Sequence, residues 1–262
     1  MIRLIAIAFV LAAATKSATA SSPDVYRHRD AGLVYGTNWS RPRTTDATGK
    51  TVTLSNGAAI TAGGKTLSLD GVDDFGTVGD DSSLSFTDGS GQDLPCSIVV
   101  WVYANDWLNN GQQAVCKLKD SAPSAYEWFV RASTTAGASG KPMFAVFNST
   151  ASASITAVSS IALPAASWTC IGISYSGSES PAGIKLFING VEDTGATKAS
   201  SGSYTGMSNT TAPLLIGSRS TGEFLKGKIG TIKIYSGRVL NPGEFAQEYN
   251  RGKAAQANGG TP

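Results

Sequence analysis

Apolar residues in this chain alternate with polar ones, or run together, over short stretches that each end at Gly, Asn, Asp or Pro. The stretches so marked are Lys65 to Leu69, Phe75 to Val78, Ser97 to Tyr103, Gln113 to Leu118, Glu127 to Ala132, Met143 to Phe147, Trp168 to Tyr175, Ile184 to Ile188, Pro213 to Gly217 and Lys228 to Tyr235. A period of two turns alternate side chains toward a core, so the pattern predicts strands, and their even spacing suits a sandwich of two antiparallel sheets. The segments at Ser97 to Tyr103 and Trp168 to Tyr175 are richest in Val, Ile and aromatic residues. They are the expected central strands, with Trp101 and Ile173 in the core.

Two local signals are sharper. In Phe187-Ile188-Asn189-Gly190-Val191 an Asn-Gly pair follows an alternating strand. Both residues tolerate positive φ, which a type I′ turn requires, so a tight hairpin is expected there. Near the C-terminus, Asn241-Pro242-Gly243-Glu244 supplies a capping side chain, a proline for the first helical position and a glutamate for the third. One short helix should start at Asn241 and lay Phe245 and Tyr249, four residues apart, on the sandwich.

Composition agrees with an all-β class. The chain has 262 residues, 30 of them glycine, and only 15% are charged. That length accommodates one large sandwich, so residues 21–262 are read as a single domain. The first twenty residues differ: Arg3 precedes an apolar run from Leu4 to Ala13, and Ala18-Thr19-Ala20 offers a cleavage site. This reads as a secretory signal peptide, with an N-terminal arm as the competing reading, and the run is too short to span a bilayer. Cleavage after Ala20 would remove Arg3 and Lys16 and take the formal charge from +2 to zero. A neutral domain argues against nucleic acid and against electrostatic docking on membranes.

Cys96, Cys116 and Cys170 each lie in an apolar, strand-like stretch. They fit buried small hydrophobes, or one cross-strand disulfide with a thiol left over. His28 is the only histidine. A Ser-His-Asp or Cys-His arrangement, or an ordinary zinc site, would have to be built around it.

Taken in order, LDGVDDFGTV (Leu69 to Val78), SIVVWVYANDW (Ser97 to Trp107), KLFINGV (Lys185 to Val191), LLIGS (Leu214 to Ser218) and GKIGTIKIYSGRVLNPGEF (Gly227 to Phe245) resemble a laminin G-like domain of the concanavalin A-like lectin and glucanase superfamily. The resemblance covers about residues 30 to 252, and the last segment is also similar to the pentraxin end of that superfamily. It implies an all-β, two-sheet antiparallel jelly-roll sandwich with one short C-terminal helix, and a function in recognising glycans, matrix proteins or cell surfaces, often with calcium. Asp70, Asp73 and Asp74 cluster in one turn and are the candidates for one structural calcium, against the alternative of a hydrogen-bonded Asp turn. Of the pentraxin calcium ligands only Asp120 has a counterpart, so a double calcium site is not expected. The pentraxin disulfide positions fall on Val99 and Gly172, not on cysteines, which implies three unpaired thiols.

Glycoside hydrolases of this superfamily carry their two carboxylates on one strand as Glu-x-Asp-x-x-Glu, and the chain has no such run. Its glutamates, Glu127, Glu179, Glu192, Glu223, Glu244 and Glu248, are scattered. The expectation is therefore no enzyme. Two readings stand. A secreted lectin-like module would bind a saccharide or glycoprotein surface through Asp120 and the aromatics Trp39, Trp107 and Tyr126, with Trp128, which lies within a strand, as a further aromatic suited equally to burial. A structural or adhesive subunit of a fibre, filament or virion would instead contact copies of itself.

Overall fold

In the computed structural model the described residues are 31–37, 47–61, 66–107, 112–120, 124–134, 137–148, 153–219 and 222–257. The leader, His28 and Trp39 lie outside them.

Two eight-stranded antiparallel sheets face one another. The first runs β13 (Val191–Glu192), β12 (Ile184–Ile188), β11 (Ser167–Tyr175), β6 (Cys96–Ala104), β16 (Lys226–Ser236), β4 (Leu67–Asp70) and β3 (Ala59–Ile60), with β1 (Leu33–Thr37) also on β16. The second runs β14 (Thr197–Ser201), β10 (Ala153–Val158), β9 (Pro142–Asn148), β8 (Ala125–Ala132), β7 (Gln113–Lys119), β15 (Leu214–Ile216), β5 (Phe75–Val78) and β2 (Val52–Ser55). The strand pattern read from the sequence thus holds for the centre of both sheets. β6 and β11 pair over nine positions, from Cys96 opposite Tyr175 to Ala104 opposite Ser167.

The main core lies between the sheets and includes Ile98, Val100, Val102, Trp128, Val130, Phe144, Val146, Ile173 and Ile232. Burial of such side chains contributes about 1.5–3 kcal/mol each. Trp128 stacks on Phe86 with centroids 5.2 Å apart and donates its indole N–H to the Leu84 carbonyl at 2.9 Å.

Trp101 is buried, but not in that core. Ile98, Val100 and Val102 point between the sheets, so Val99 and Trp101 point to the other face of β6. There they meet helix α1 (Pro242–Ala257), which lies over the first sheet with Phe245 on Phe187 and Tyr249 on Trp101. Two glycines permit this approach: a Cβ on Gly172 would come within 2.6 Å of the Phe245 ring, and one on Gly252 within 2.4 Å of the Trp101 ring. The helix starts as its capping box demands, with Glu244 N–H donating to Asn241 Oδ1 at 3.0 Å and Asn241 N–H donating to Glu244 Oε2 at 2.8 Å. The hairpin between β12 and β13 turns at Asn189 (φ 52°) and Gly190 (φ 81°), as the type I′ reading requires.

All three cysteines are buried and unpaired. Cys96 belongs to the layer between the sheets, Cys170 to the layer beneath the helix, and Cys116 to the opposite outer face. Alternation has put the thiols in separate layers, and burial raises the pKa of each.

Candidate binding face on the second sheet

The two sheets differ on their outer sides. The described α-helix covers the first, whereas the outward positions of the second gather a third apolar cluster from strand residues alone. One row across it follows the ladder register: Thr77 on β5, Leu215 on β15, Cys116 on β7, Phe129 on β8, Ala145 on β9, Thr156 on β10 and Ala199 on β14. Tyr126, Met143, Phe147 and Phe75 are half-buried around it. Tyr126 and Phe129 each pack on Phe147, with centroids 5.9 Å and 5.3 Å away. Phe75 approaches Phe224 at 6.4 Å. The result is an aromatic ridge running into a floor of small residues.

A polar network closes one side. Tyr126 donates its hydroxyl to Asp120 Oδ1 at 2.7 Å, and Asp120 also accepts from Arg219 Nε and Nη2 at 3.1 Å. Arg219 Nη1 continues to Glu223 Oε1 at 3.4 Å, and Glu223 accepts from Arg131 Nη1 at 3.2 Å and from Gln113 Nε2 at 2.7 Å. Each guanidinium also lies over a ring, Arg219 at 5.7 Å from Tyr126 and Arg131 at 4.6 Å from Phe129. Glu223 takes φ 55°, so a non-glycine residue holds a left-handed backbone where it turns its carboxylate between the two arginines. The Asp120 carboxylate accepting its proton raises the Tyr126 pKa. Burial would lower the Arg219 pKa, but the Asp120 bond and the charges of Glu223 and Asp120 outweigh it and raise the value.

The residues singled out from sequence fall in different places. Asp120 and Tyr126 touch each other on this face. Trp107 is only 2% exposed and belongs to the main core, so its ring is not offered to a ligand. Trp128 is likewise enclosed. Arg131, Phe147, Arg219 and Glu223 were not anticipated; the signal for Arg131 and Phe147 was the outward alternation of β8 and β9, whereas Arg219 and Glu223 lie between β15 and β16 and gave none. Asp70, Asp73 and Asp74 lie at the β4–β5 turn, each offering an oxygen within 4.8 Å of the others. Two are engaged by the backbone: Asp74 accepts from Gly57 N at 2.6 Å and Asp70 N at 2.9 Å, and Asp70 accepts from Val72 N at 2.8 Å. The Val72 bond is the largest influence on Asp70, whose pKa is lowered.

Elsewhere on the second sheet, Lys117 and Glu127 are wholly buried and paired at 2.8 Å, where β8 bulges by one residue against β7. Lys117 also reaches Asp80 at 2.8 Å, and Glu127 Oε1 accepts from Thr210 N at 2.7 Å. The bulge lets Tyr126 face outward while Trp128 faces the core.

Two facing antiparallel sheets, one of them covered by a helix, make this a jelly-roll sandwich of the concanavalin A-like class. Residues 75–246 match the laminin G family described as the concanavalin A-like lectin/glucanases superfamily, and the chain belongs to it. A comparison with curated proteins gave no match. Among solved structures, the binding domain of Paraclostridial Mosquitocidal Protein 1 is similar at TM-score 0.62 and 16% identity, over 85% of this chain and 52% of that one. Domain 4 of AbnA, an extracellular GH43 arabinanase from Geobacillus stearothermophilus solved with arabinotriose, is similar at TM-score 0.56 and 19% identity, over 83% and 98%. The receptor binding domain of botulinum neurotoxin D is similar at TM-score 0.61 and 12% identity, over 85% and 53%. The chain spans about half the length of the two toxin domains and nearly all of the arabinanase domain. These identities establish a shared fold. Among the described residues no helix is long and apolar enough to cross a membrane.

Proposed function

We propose that this protein is a secreted, non-catalytic recognition module that binds a glycan or a glycosylated surface on the outer face of its second sheet. The observation carrying this reading is the ridge of half-buried Tyr126 and Phe147 packed over buried Phe129 and bordered by the Asp120–Arg219–Glu223–Arg131 network. Aromatic faces stack on the apolar faces of sugar rings, and a fixed set of donors and acceptors holds hydroxyls in a chosen orientation. Support also comes from the similar folds, each of which is a binding domain or stands in complex with an oligosaccharide. The two carboxylates on the face are bridged by Arg219, so neither is placed as a free acid or nucleophile for glycoside cleavage. A calcium ion on Asp70, Asp73 and Asp74 belongs to this reading only as a brace for the β4–β5 turn.

A glycan array run beside a reducing-sugar release assay tests the proposal. Weak binding to a saccharide without release is expected, because a shallow face gains only modest stacking energy after desolvation and ordering. Release of reducing ends would overturn the non-catalytic assignment. A blank array together with assembly into regular particles or fibres would replace the lectin reading with the structural subunit.

A further inference from the structure

Both guanidiniums on this face are held by its own carboxylates. Of the outward positions along the eight strands of the second sheet, only Arg131 carries a formal charge; the others are aromatic, aliphatic, sulfur-bearing, hydroxyl or amide residues. The flanking residues add Asp120, Arg219 and Glu223, and Lys141, one step before β9, belongs by alternation to the side of Met143, so both anions of the face are engaged by its two guanidiniums and one ammonium lies at its margin. Arg219 is bound to Asp120 through two nitrogens and to Glu223 through a third, and Arg131 is bound to Glu223. Lys117 points inward to Glu127, and Lys119 follows the outward Leu118 and so belongs by alternation to the other side.

A carboxylated or sulfated sugar needs a cation that can meet its charge, preferably two-pronged. Here each guanidinium would first have to leave a carboxylate that it already holds, and that carboxylate would then repel the ligand. A neutral sugar meets neither obstacle. It takes the ring stack from Tyr126 and Phe147 and exchanges hydroxyl hydrogen bonds with the partly exposed edges of the network. Beyond the ridge, the floor of Ala145, Thr156 and Ala199 continues to the edge of the sheet with small side chains. At about 4.8 Å per strand, β7 to β14 spans about 19 Å, room for an extended oligosaccharide lying across the strands.

Resting on the glycan-binding function proposed above, we infer that the ligand is a neutral, extended saccharide chain and that Glu223 and Asp120 act as selectivity residues, keeping Arg131 and Arg219 from recruiting acidic glycans. The probes are debranched arabinan and laminarin as neutral polymers and polygalacturonate and heparin as acidic ones, titrated by calorimetry in low and high salt. The wild-type chain should bind at least one neutral polymer at least tenfold more tightly than either acidic one, with little effect of salt. Glu223→Gln releases both arginines from one carboxylate, and affinity for polygalacturonate should rise about tenfold in low salt and fall again in high salt. Asp120→Asn, which unmasks Arg219 alone, should give a smaller shift in the same direction and serves if Glu223→Gln does not fold. Tighter, salt-sensitive binding of polygalacturonate or heparin by the wild-type chain would overturn the inference while leaving a glycan site. An unchanged neutral-to-acidic ratio in folded variants would overturn the role of the two carboxylates. No binding to any polymer would remove the glycan reading and this inference with it.

Discussion

Trp101 on β6 and Tyr249 on α1 stack with centroids 5.6 Å apart and planes 9° from parallel, and Gly252 leaves the space in which they meet. The helix is therefore held by a ring pair on the far side of the first sheet. Trp101→Ala should cost about 3–5 kcal/mol, as expected for emptying a large aromatic site. Gly252→Ala should also destabilise, because its Cβ would collide with the indole. Urea melts of both variants check this, and a loss below about 1 kcal/mol for Trp101→Ala would show that the helix is not held by this stack.

Removing one partner of a buried ion pair leaves the other without compensation. Lys117→Met should therefore cost about 3–5 kcal/mol through the stranded Glu127 carboxylate, whereas Lys117→Met with Glu127→Met should recover most of it. The double-mutant cycle reads the coupling directly. Additive losses would show that Lys117 and Glu127 do not depend on each other.

Asp193 accepts from Ser159 Oγ and Ser160 N at 2.7 Å, Ser160 Oγ at 2.6 Å and Gly195 N at 3.1 Å. Burial would raise its pKa, but these bonds outweigh burial and the net shift is downward. A lowered folded-state pKa stabilises above the unfolded value of about 3.9 and loses that stabilisation as pH falls through the folded value. Asp193→Asn should thus melt below the wild type at neutral pH, and the gap should close in acid below that unfolded value. A gap that stays constant to low pH would contradict this.

Tyr126→Ala and Phe147→Ala should each weaken binding of the best array glycan by about tenfold, equivalent to ~1.4 kcal/mol, with the melting temperature reduced less than in Trp101→Ala. Trp107→Ala should instead act on stability, because that ring is enclosed. Unchanged affinity in both ridge variants would move the site off this face.

Calcium should act on stability and not on ligand choice, since Asp70 and Asp74 brace the β4–β5 turn through backbone N–H groups. The expected result is a higher melting temperature in calcium than in chelator with the same order of glycans on the array. A reordered array would place the ion at the ligand instead.

The fold was legible where burial writes itself into side-chain type. β5 and β12 have the ends that alternation and turn residues implied, and the Asn189-Gly190 turn and the Asn241–Glu244 box formed as read. β10 and β14 were missed for opposite reasons. β10 turns Ala153, Ile155 and Ala157 inward, and alanine is too small to mark a core face, while every residue of β14 is exposed. Trp101 shows a second limit: alternation separates the faces of a strand without telling which one the core takes when both are buried. The binding face was half visible, through Asp120 and Tyr126. Arg219 and Glu223 reach it from a turn distant in sequence, and only tertiary structure brings such a pair to Arg131.

The separation of Cys96, Cys116 and Cys170 into three layers gives the protein three native reporters of its own opening. Each thiol becomes reactive only when its own layer parts. The order in which a thiol-specific reagent modifies them during unfolding would show whether the helix lifts, the outer face loosens or the sheets separate first, without any engineered label.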